Sequence, residues 1–385
     1  IGSGPETFFS VYTRLKPASL NLTNLWNIRF TNSSNEALEL LATVGLLCAF
    51  LWITAITKPR KLALNQIKLK KDVSPQLTAS FLFTAGTFIA MFLIPASVVL
   101  FTAFFLGLIL LNLALSTDIK VGKDIDINLS GVTPSLLPLA TLLVSLVGLA
   151  VFWSNAGKTY AASLISFKAG QLLKTNTTES YNLQIKAFQL DPKTSAYRIN
   201  FSQTSMALAN QIAKQKDLSD EDKKNVSQLV QQAIREAKNA TDLDPTNVVA
   251  WENLSGIYQQ ITGFVEGAPD WTVASYSQAI SLDPSNPALR LGLGGFFFGL
   301  GDYEQAIKIF EQAVNLKPNW ANAHYNLSTA YKAKKDYAKA LNEMKIVAQL
   351  LDPKSEDVKK VEEEVKELEK LAPTPTPTPT PAPSN

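Results

Sequence analysis

The chain has one cysteine and one histidine among its 385 residues. Cys48 alone cannot close an intrachain disulfide, so cysteine usage says nothing about the redox compartment. His324 alone rules out a histidine-rich metal centre, and no metal or cofactor is expected. Net charge is also scarce: 36 Lys and Arg against 33 Asp and Glu leave +3, with no face obviously swept with basic residues, which argues against a nucleic-acid partner. A phosphate loop is missing too. The stretch "GLGG" (292–295) has no strand before it and no Lys-Ser/Thr pair after it. The chain opens on "IGSGPETFF", without an initiator methionine or a signal-peptide pattern, and reads as the C-terminal part of a longer protein.

What is abundant is apolar side chain, unevenly spread. The 46% hydrophobic content and mean hydropathy of +0.05 conceal a division near residue 155. Before it lie four apolar segments of 18–21 residues, 37–57, 77–94, 96–115 and 136–153. Each approaches the ~20 residues that cross ~30 Å of hydrocarbon, so residues 36–154 are predicted to form four transmembrane helices. The second and third, separated at Pro95, are read as a tight hairpin. Lys58, Arg60, Lys61, Lys68, Lys70 and Lys71 fill the loop after the first span, which predicts a cytoplasmic loop, with membrane lipids as further contacts. Counting crossings then places the loop 1–35, and everything after Trp153, outside the plasma (inner) membrane.

After residue 155 the pattern becomes helical and periodic. "NPALRLGLGGFFFGLGDYEQAIKIFEQAVNLKPN" aligns with "WANAHYNLSTAYKAKKDYAKALNEMKIVAQLLDP". Leu293 matches Leu327, Phe297 matches Tyr331, Tyr303 matches Tyr337 and Ala306 matches Ala340, each pair 34 residues apart. Small Ala306 and Ala313 let two helices approach, Leu293, Phe297 and Phe310 fill the space between them, and Gly301-Asp302 supplies the turn. Looser copies precede these: "WENLSGIYQQ" with "ASYSQAISLDP", then "VQQAIREAKNATDLDP" and "YNLQIKAFQLDP". The pattern resembles the tetratricopeptide repeat (TPR). That resemblance implies an all-α solenoid over 155–353, with units ending near 192, 245, 284, 318 and 353 and a groove for a protein or peptide ligand. Glu252, Gln259, Phe298, Tyr325 and Lys332 are the candidate groove residues. His324 stands where the repeat usually places an aromatic ring, which points to packing. Phe297 is expected in the core, with Phe298 reaching the groove.

Two terminal pieces follow. "SEDVKKVEEEVKELEKL" sets Val358, Val361, Val365 and Leu368 in one apolar stripe, predicting a capping helix over 354–371 with a short coiled coil as the other reading. "APTPTPTPTPAPSN" (372–385) predicts an extended polyproline-type tail.

The N-terminal stretch carries a second resemblance. Gly2, Gly4, Pro5 and Phe8, then Asn35, Leu38 and Gly45, resemble the extracytoplasmic loop and following span of the O-antigen ligase and polymerase superfamily. Ser34 stands in the position of that family's histidine and Cys48 in that of a common second glycine. The resemblance implies metal-independent transfer of a glycan from a polyprenyl-diphosphate donor outside the plasma membrane. It makes Ser34 and Asn35 catalytic candidates and Arg14 and Arg29 diphosphate contacts, since guanidinium forks suit phosphate oxygens. A serine hydroxyl cannot act as a base without a group to activate it. Glu36 or Glu6 serves, the base lies elsewhere, or no ligation occurs; as a bland alternative, "TNSSNE" is a good helix N-cap. Two functions therefore stand: a surface-glycan transferase with recruiting repeats, or a non-catalytic membrane-anchored TPR scaffold.

Overall fold

In the computed structural model, residues 7–31, 57, 61, 64, 74–91, 93, 98–118 and 136–372 are described. The chain divides into two compact units, one of residues 1–12 and 29–158, the other of 13–28 and 159–385. Among the described residues every regular element is helical.

The first helix along the chain is α1 (Phe8–Leu15), and α2 (Pro75–Ala90), α3 (Val98–Asp118) and α4 (Leu136–Leu172) follow. Ser74 caps α2 by accepting from the Leu77 amide at 3.2 Å, and Pro75 occupies the first turn, where its missing N–H costs nothing. α2 and α3 pack as a pair through Leu77, Leu111 and Leu115 at one end and Met91, Leu100 and Phe104 at the other.

The expectation of four transmembrane helices is overturned among the described residues. Among the described residues no helix is long and apolar enough to cross a membrane. The expected span 77–94 is a helix of 16 residues, about 24 Å at 1.5 Å per residue against ~30 Å of hydrocarbon. It and the expected span 96–115, which falls in α3, turn apolar side chains towards each other, as a packed helical hairpin also requires. The expected span 136–153 is only the front of a 37-residue helix that runs on through Lys158 and Lys168. The expected span 37–57 lies outside the described residues except for Thr57. The multi-pass plasma-membrane placement falls with the spans, and so does the assignment of the repeats and tail to its outer side.

The second unit is a row of helical hairpins. The C-terminal part of α4 pairs with α5 (Thr177–Leu190), Ser180 Oγ donating to the Ala169 carbonyl at 2.8 Å and Ser166 Oγ to Gln184 Oε1 at 3.1 Å. α6 (Ser195–Ala213) pairs with α7 (Asp220–Leu243), α8 (Val248–Gln260) with α9 (Ala268–Leu282), α10 (Pro287–Gly299) with α11 (Tyr303–Leu316), and α12 (Ala321–Ala333) with α13 (Tyr337–Leu350). α14 (Asp357–Leu371) closes the row. Its Val361 and Leu368 are buried against α12 and α13, and Val358 and Val365 are half-buried.

Local sequence sets these boundaries. Ser219 and Asp222 form a reciprocal capping box at the start of α7, each side chain accepting from the other's backbone N–H at 3.1 Å. Asp302 and Asp336 cap α11 and α13, accepting from Gln305 N at 3.0 Å and Lys339 N at 3.2 Å. Just before each cap the chain turns through the left-handed region, at Gly301 (φ 80°) and at Lys335 (φ 65°). Ala306, Ala313 and Ala340 are fully buried where helices cross, since a methyl group permits close approach. Of the three consecutive phenylalanines, Phe296 lies deepest, 4% exposed, and the half-buried Phe297 packs against the core clusters on either side.

Residues 13–28 belong to this second unit rather than to a separate loop. A short 3₁₀ helix, Ala18–Leu22, seats Asn21 against the turns that join successive hairpins.

Candidate partner-binding groove

An open polar groove in the repeat unit runs between the first helices of two neighbouring hairpins, α6 and α8. Gln203, Met206, Ala207 and Asn210 line one wall, and Val249, Glu252, Asn253, Gly256, Ile257 and Gln260 the other, around ≈ 530 Å³. The spacing is helical on both walls, so a single face of each helix is presented. Beneath the groove the two helices are pinned together. Asn253 Nδ2 donates to Ser202 Oγ at 2.8 Å, a buried contact, and Asn210 Nδ2 donates to Gln260 Oε1 at 2.9 Å at the rim. A buried amide with a partner costs little, whereas an orphaned one costs a few kcal/mol, so this pair also fixes the register of the walls. The lining offers carboxamide donors and acceptors, one carboxylate, and a floor of Met206 and Ile257. That chemistry suits a polypeptide, whose backbone and side chains need both.

The five groove residues expected from the sequence separate in the structure. Glu252 lines the α6–α8 groove. Gln259 is exposed one turn away and accepts from the Tyr276 hydroxyl at 3.1 Å; burial pushes the Tyr276 phenol above its usual range. Phe298 packs on Tyr303, rings 5.3 Å apart. Tyr325 and Lys332 are engaged by α14: the Tyr325 hydroxyl donates to Glu364 at 3.0 Å, Lys360 sits 5.3 Å above its ring, and Lys332 pairs with Glu367 at 2.9 Å. The sequence reading missed Gln203, Met206, Asn210, Asn253 and Gln260. The signal was present in the positions at i, i+3, i+4 and i+7 on adjacent first helices, but the α6 hairpin matches the 34-residue period too loosely to give its register.

Ser34 and Asn35 lie outside the described residues. Arg14 is exposed in the last turn of α1 and belongs to the repeat unit, while Arg29 belongs to the other unit. No group of three or more metal-ligating side chains occurs among the described residues.

His324 is a packing residue with a defined proton arrangement. The ring is 4% exposed, Nδ1 faces Glu343 Oε2 at 2.6 Å, and Nε2 faces the Pro318 carbonyl at 2.9 Å. Both nitrogens face acceptors, so the doubly protonated ring satisfies both. The bond to Glu343 raises its pKa most, burial opposes, and the Pro318 carbonyl adds to the rise.

Comparison with known proteins agrees with the hairpin geometry. The tetratricopeptide repeat family matches residues 266–324 and 297–359. The TPR repeat-containing thioredoxin TTL4 of Arabidopsis thaliana is 39% identical over 59 residues, covering 15% of this chain and 9% of that protein's length. Among solved structures, a MamA protein is 18% identical, covering 53% of this chain and 96% of its own, with a TM-score of 0.38. TTC0263, a thermophilic TPR protein of Thermus thermophilus, is 16% identical, covering 55% and 100%, with a TM-score of 0.39. None of these supports a glycan-transferring or lipid-binding part. The hairpins within residues 266–359 are tetratricopeptide repeats, as the family match shows.

Proposed function

We propose that the chain is a protein-binding scaffold, and that the α6–α8 groove is where a segment of the partner protein lies. The observation that carries this reading is the groove's lining: Gln203, Asn210, Glu252 and Gln260 at its rim over Met206 and Ile257. Repeats of this kind stack helical hairpins so that the first helices share one face, and that face offers an extended binding surface. At the C-terminal end α14 packs beside the matching positions and engages Tyr325 and Lys332. The binding face is therefore assigned to the earlier hairpins.

A photo-crosslinking side chain at Gln203 or Gln260, with the same probe at Gln278 on the exposed outer helix α9, tests the assignment. In extracts of the source cells, the two groove positions should trap the same discrete partner and Gln278 should not. Equal trapping at all three positions, or none at the groove, overturns the reading.

A further inference from the structure

The turns that join successive hairpins have a common form. They read Asp191-Pro192-Lys193-Thr194, Asp244-Pro245-Thr246-Asn247, Asp283-Pro284-Ser285-Asn286, Lys317-Pro318-Asn319-Trp320 and Asp352-Pro353-Lys354-Ser355. The aspartates close their own turns. Asp191 accepts from Thr194 Oγ1, Asp244 from Thr246 Oγ1, Asp283 from Asn286 Nδ2 and Asp352 from the Lys354 amide, at 2.9–3.0 Å. The fourth residue is small and polar, and in two turns it caps the next helix: Asn247 and Asn286 accept from backbone N–H groups at 2.9–3.0 Å. The turn 317–320 departs at both positions. Lys317 has no acceptor with which to close a turn, and Trp320 puts an indole where the other turns carry Thr, Asn or Ser.

Both departures are used by residues 16–28. Lys317 Nζ donates to the Asn21 carbonyl at 2.6 Å and to Asn319 Oδ1 at 3.0 Å, and lies 5.1 Å from the Trp26 ring. Trp26 packs on Trp320, rings 4.8 Å apart. Asn21 is fully buried, and its Nδ2 donates to the Ser285 carbonyl in one turn at 2.7 Å and to the carbonyl of Leu316, the last residue of α11, at 3.1 Å. Two carbonyls facing one side-chain terminus require the NH₂ end there, which fixes the amide orientation. Lys16 Nζ donates to the Trp26 carbonyl and closes the segment on itself. Burial lowers the Lys317 ammonium below its usual range, a cost the Asn21 carbonyl and Trp26 ring offset.

We propose that the turns 283–286 and 317–320 form a second recognition surface of the repeat array. It accepts a polypeptide segment carrying an asparagine and, five residues later, a tryptophan, and residues 16–28 of this chain occupy it in cis. The surface lies at the ends of the helices, apart from the residues lining the α6–α8 groove. A tethered occupant competes from within the same molecule, so an outside segment must bind tightly enough to displace it.

The test uses the full chain and a labelled synthetic peptide of residues 13–28. In Asn21→Ala/Trp26→Ala protein the surface is vacated, and the peptide should bind at least tenfold more tightly than to wild type. Adding Lys317→Met should remove at least tenfold of that affinity. Hydrogen exchange provides a second arm, using Lys317→Gln alone. Amides of 16–28 should exchange at least tenfold faster, while those of α6 and α8 keep their wild-type rates. The proposal is overturned if wild type and the vacated protein bind the peptide equally, if neither binds it, or if Lys317→Met changes nothing. Unchanged exchange over 16–28 in Lys317→Gln overturns it as well, even if the double variant does not fold.

Discussion

Two adjacent glycines of α10 should respond oppositely to the same substitution. A methyl group added at Gly294 would lie 2.6 Å from both Cδ1 and Cε1 of Phe310, and 3.2 Å from Cγ. Carbon atoms settle at ~3.5–4.0 Å, so the ring or the helix must move by about 1 Å. Phe310 is 1% exposed and held among Ile307, Leu327 and Tyr331, so the ring has little room to move. Overpacking of this kind costs about 1–3 kcal/mol. Replacing glycine by alanine inside a helix returns about 0.8–1.0 kcal/mol. The net effect of Gly294→Ala is therefore a loss of about 1 kcal/mol. At Gly295 nothing lies within 4 Å, so only the helical gain remains and Gly295→Ala should stabilise by up to about 1 kcal/mol. The gap of about 2 kcal/mol is nearly thirtyfold in a local opening constant. Repeat arrays open piecewise, so native-state hydrogen exchange of α10 and α11 amides in the full chain is the suitable assay. Protection should fall in one variant and rise in the other. A shift of both in the same direction would refute the packing assigned to Phe310.

The single histidine makes proton linkage directly observable. Glu343 and the Pro318 carbonyl raise the folded pKa of His324 above its unfolded value, so its stabilisation is fully present below the unfolded pKa and is lost as pH rises through the folded pKa. NMR titration of its ring resonances should show the raised midpoint in wild type, and in Glu343→Gln the midpoint should fall; an unmoved midpoint refutes the assigned contact. Lys335 holds the left-handed conformation that Gly301 holds one repeat earlier. Lys335→Gly should therefore raise stability by about 0.5–1 kcal/mol, read as slower exchange in α12 and α13, because it removes the Cβ penalty of that conformation; faster exchange there would refute the assignment.

The repeats were legible because their residues recur. Leu293 with Leu327 and Ala306 with Ala340 sit in the same environments one period apart, and all four are buried. The apolar half misled because an apolar run of about 20 residues is ambiguous: Leu77, Phe104 and Leu111 serve a helix pair as readily as a bilayer. Tyr325 and Lys332 were sound choices by repeat position, yet α14 occupies them, since the last repeat has a capping helix as its neighbour. The role of residues 16–28 was beyond pattern reading. Asn21 and Trp26 have no periodicity, and their partners lie 264 to 296 residues away. The clue within the repeats was the exchange of Asp for Lys at 317 and of a small polar residue for Trp at 320.

That separation has a consequence during synthesis. Lys317 and Asn21 are 296 residues apart, whereas each hairpin closes within a few tens of residues. A ribosome adding ~5–20 residues per second makes Asn21 and Trp26 wait roughly 15–60 s for the turn that receives them. The hairpins can form one after another as they emerge, but the N-terminal segment must remain undocked until nearly the whole array exists. Its docking is thus a late event in the birth of each molecule, and for that interval Trp26 is open to whatever binds nascent chains.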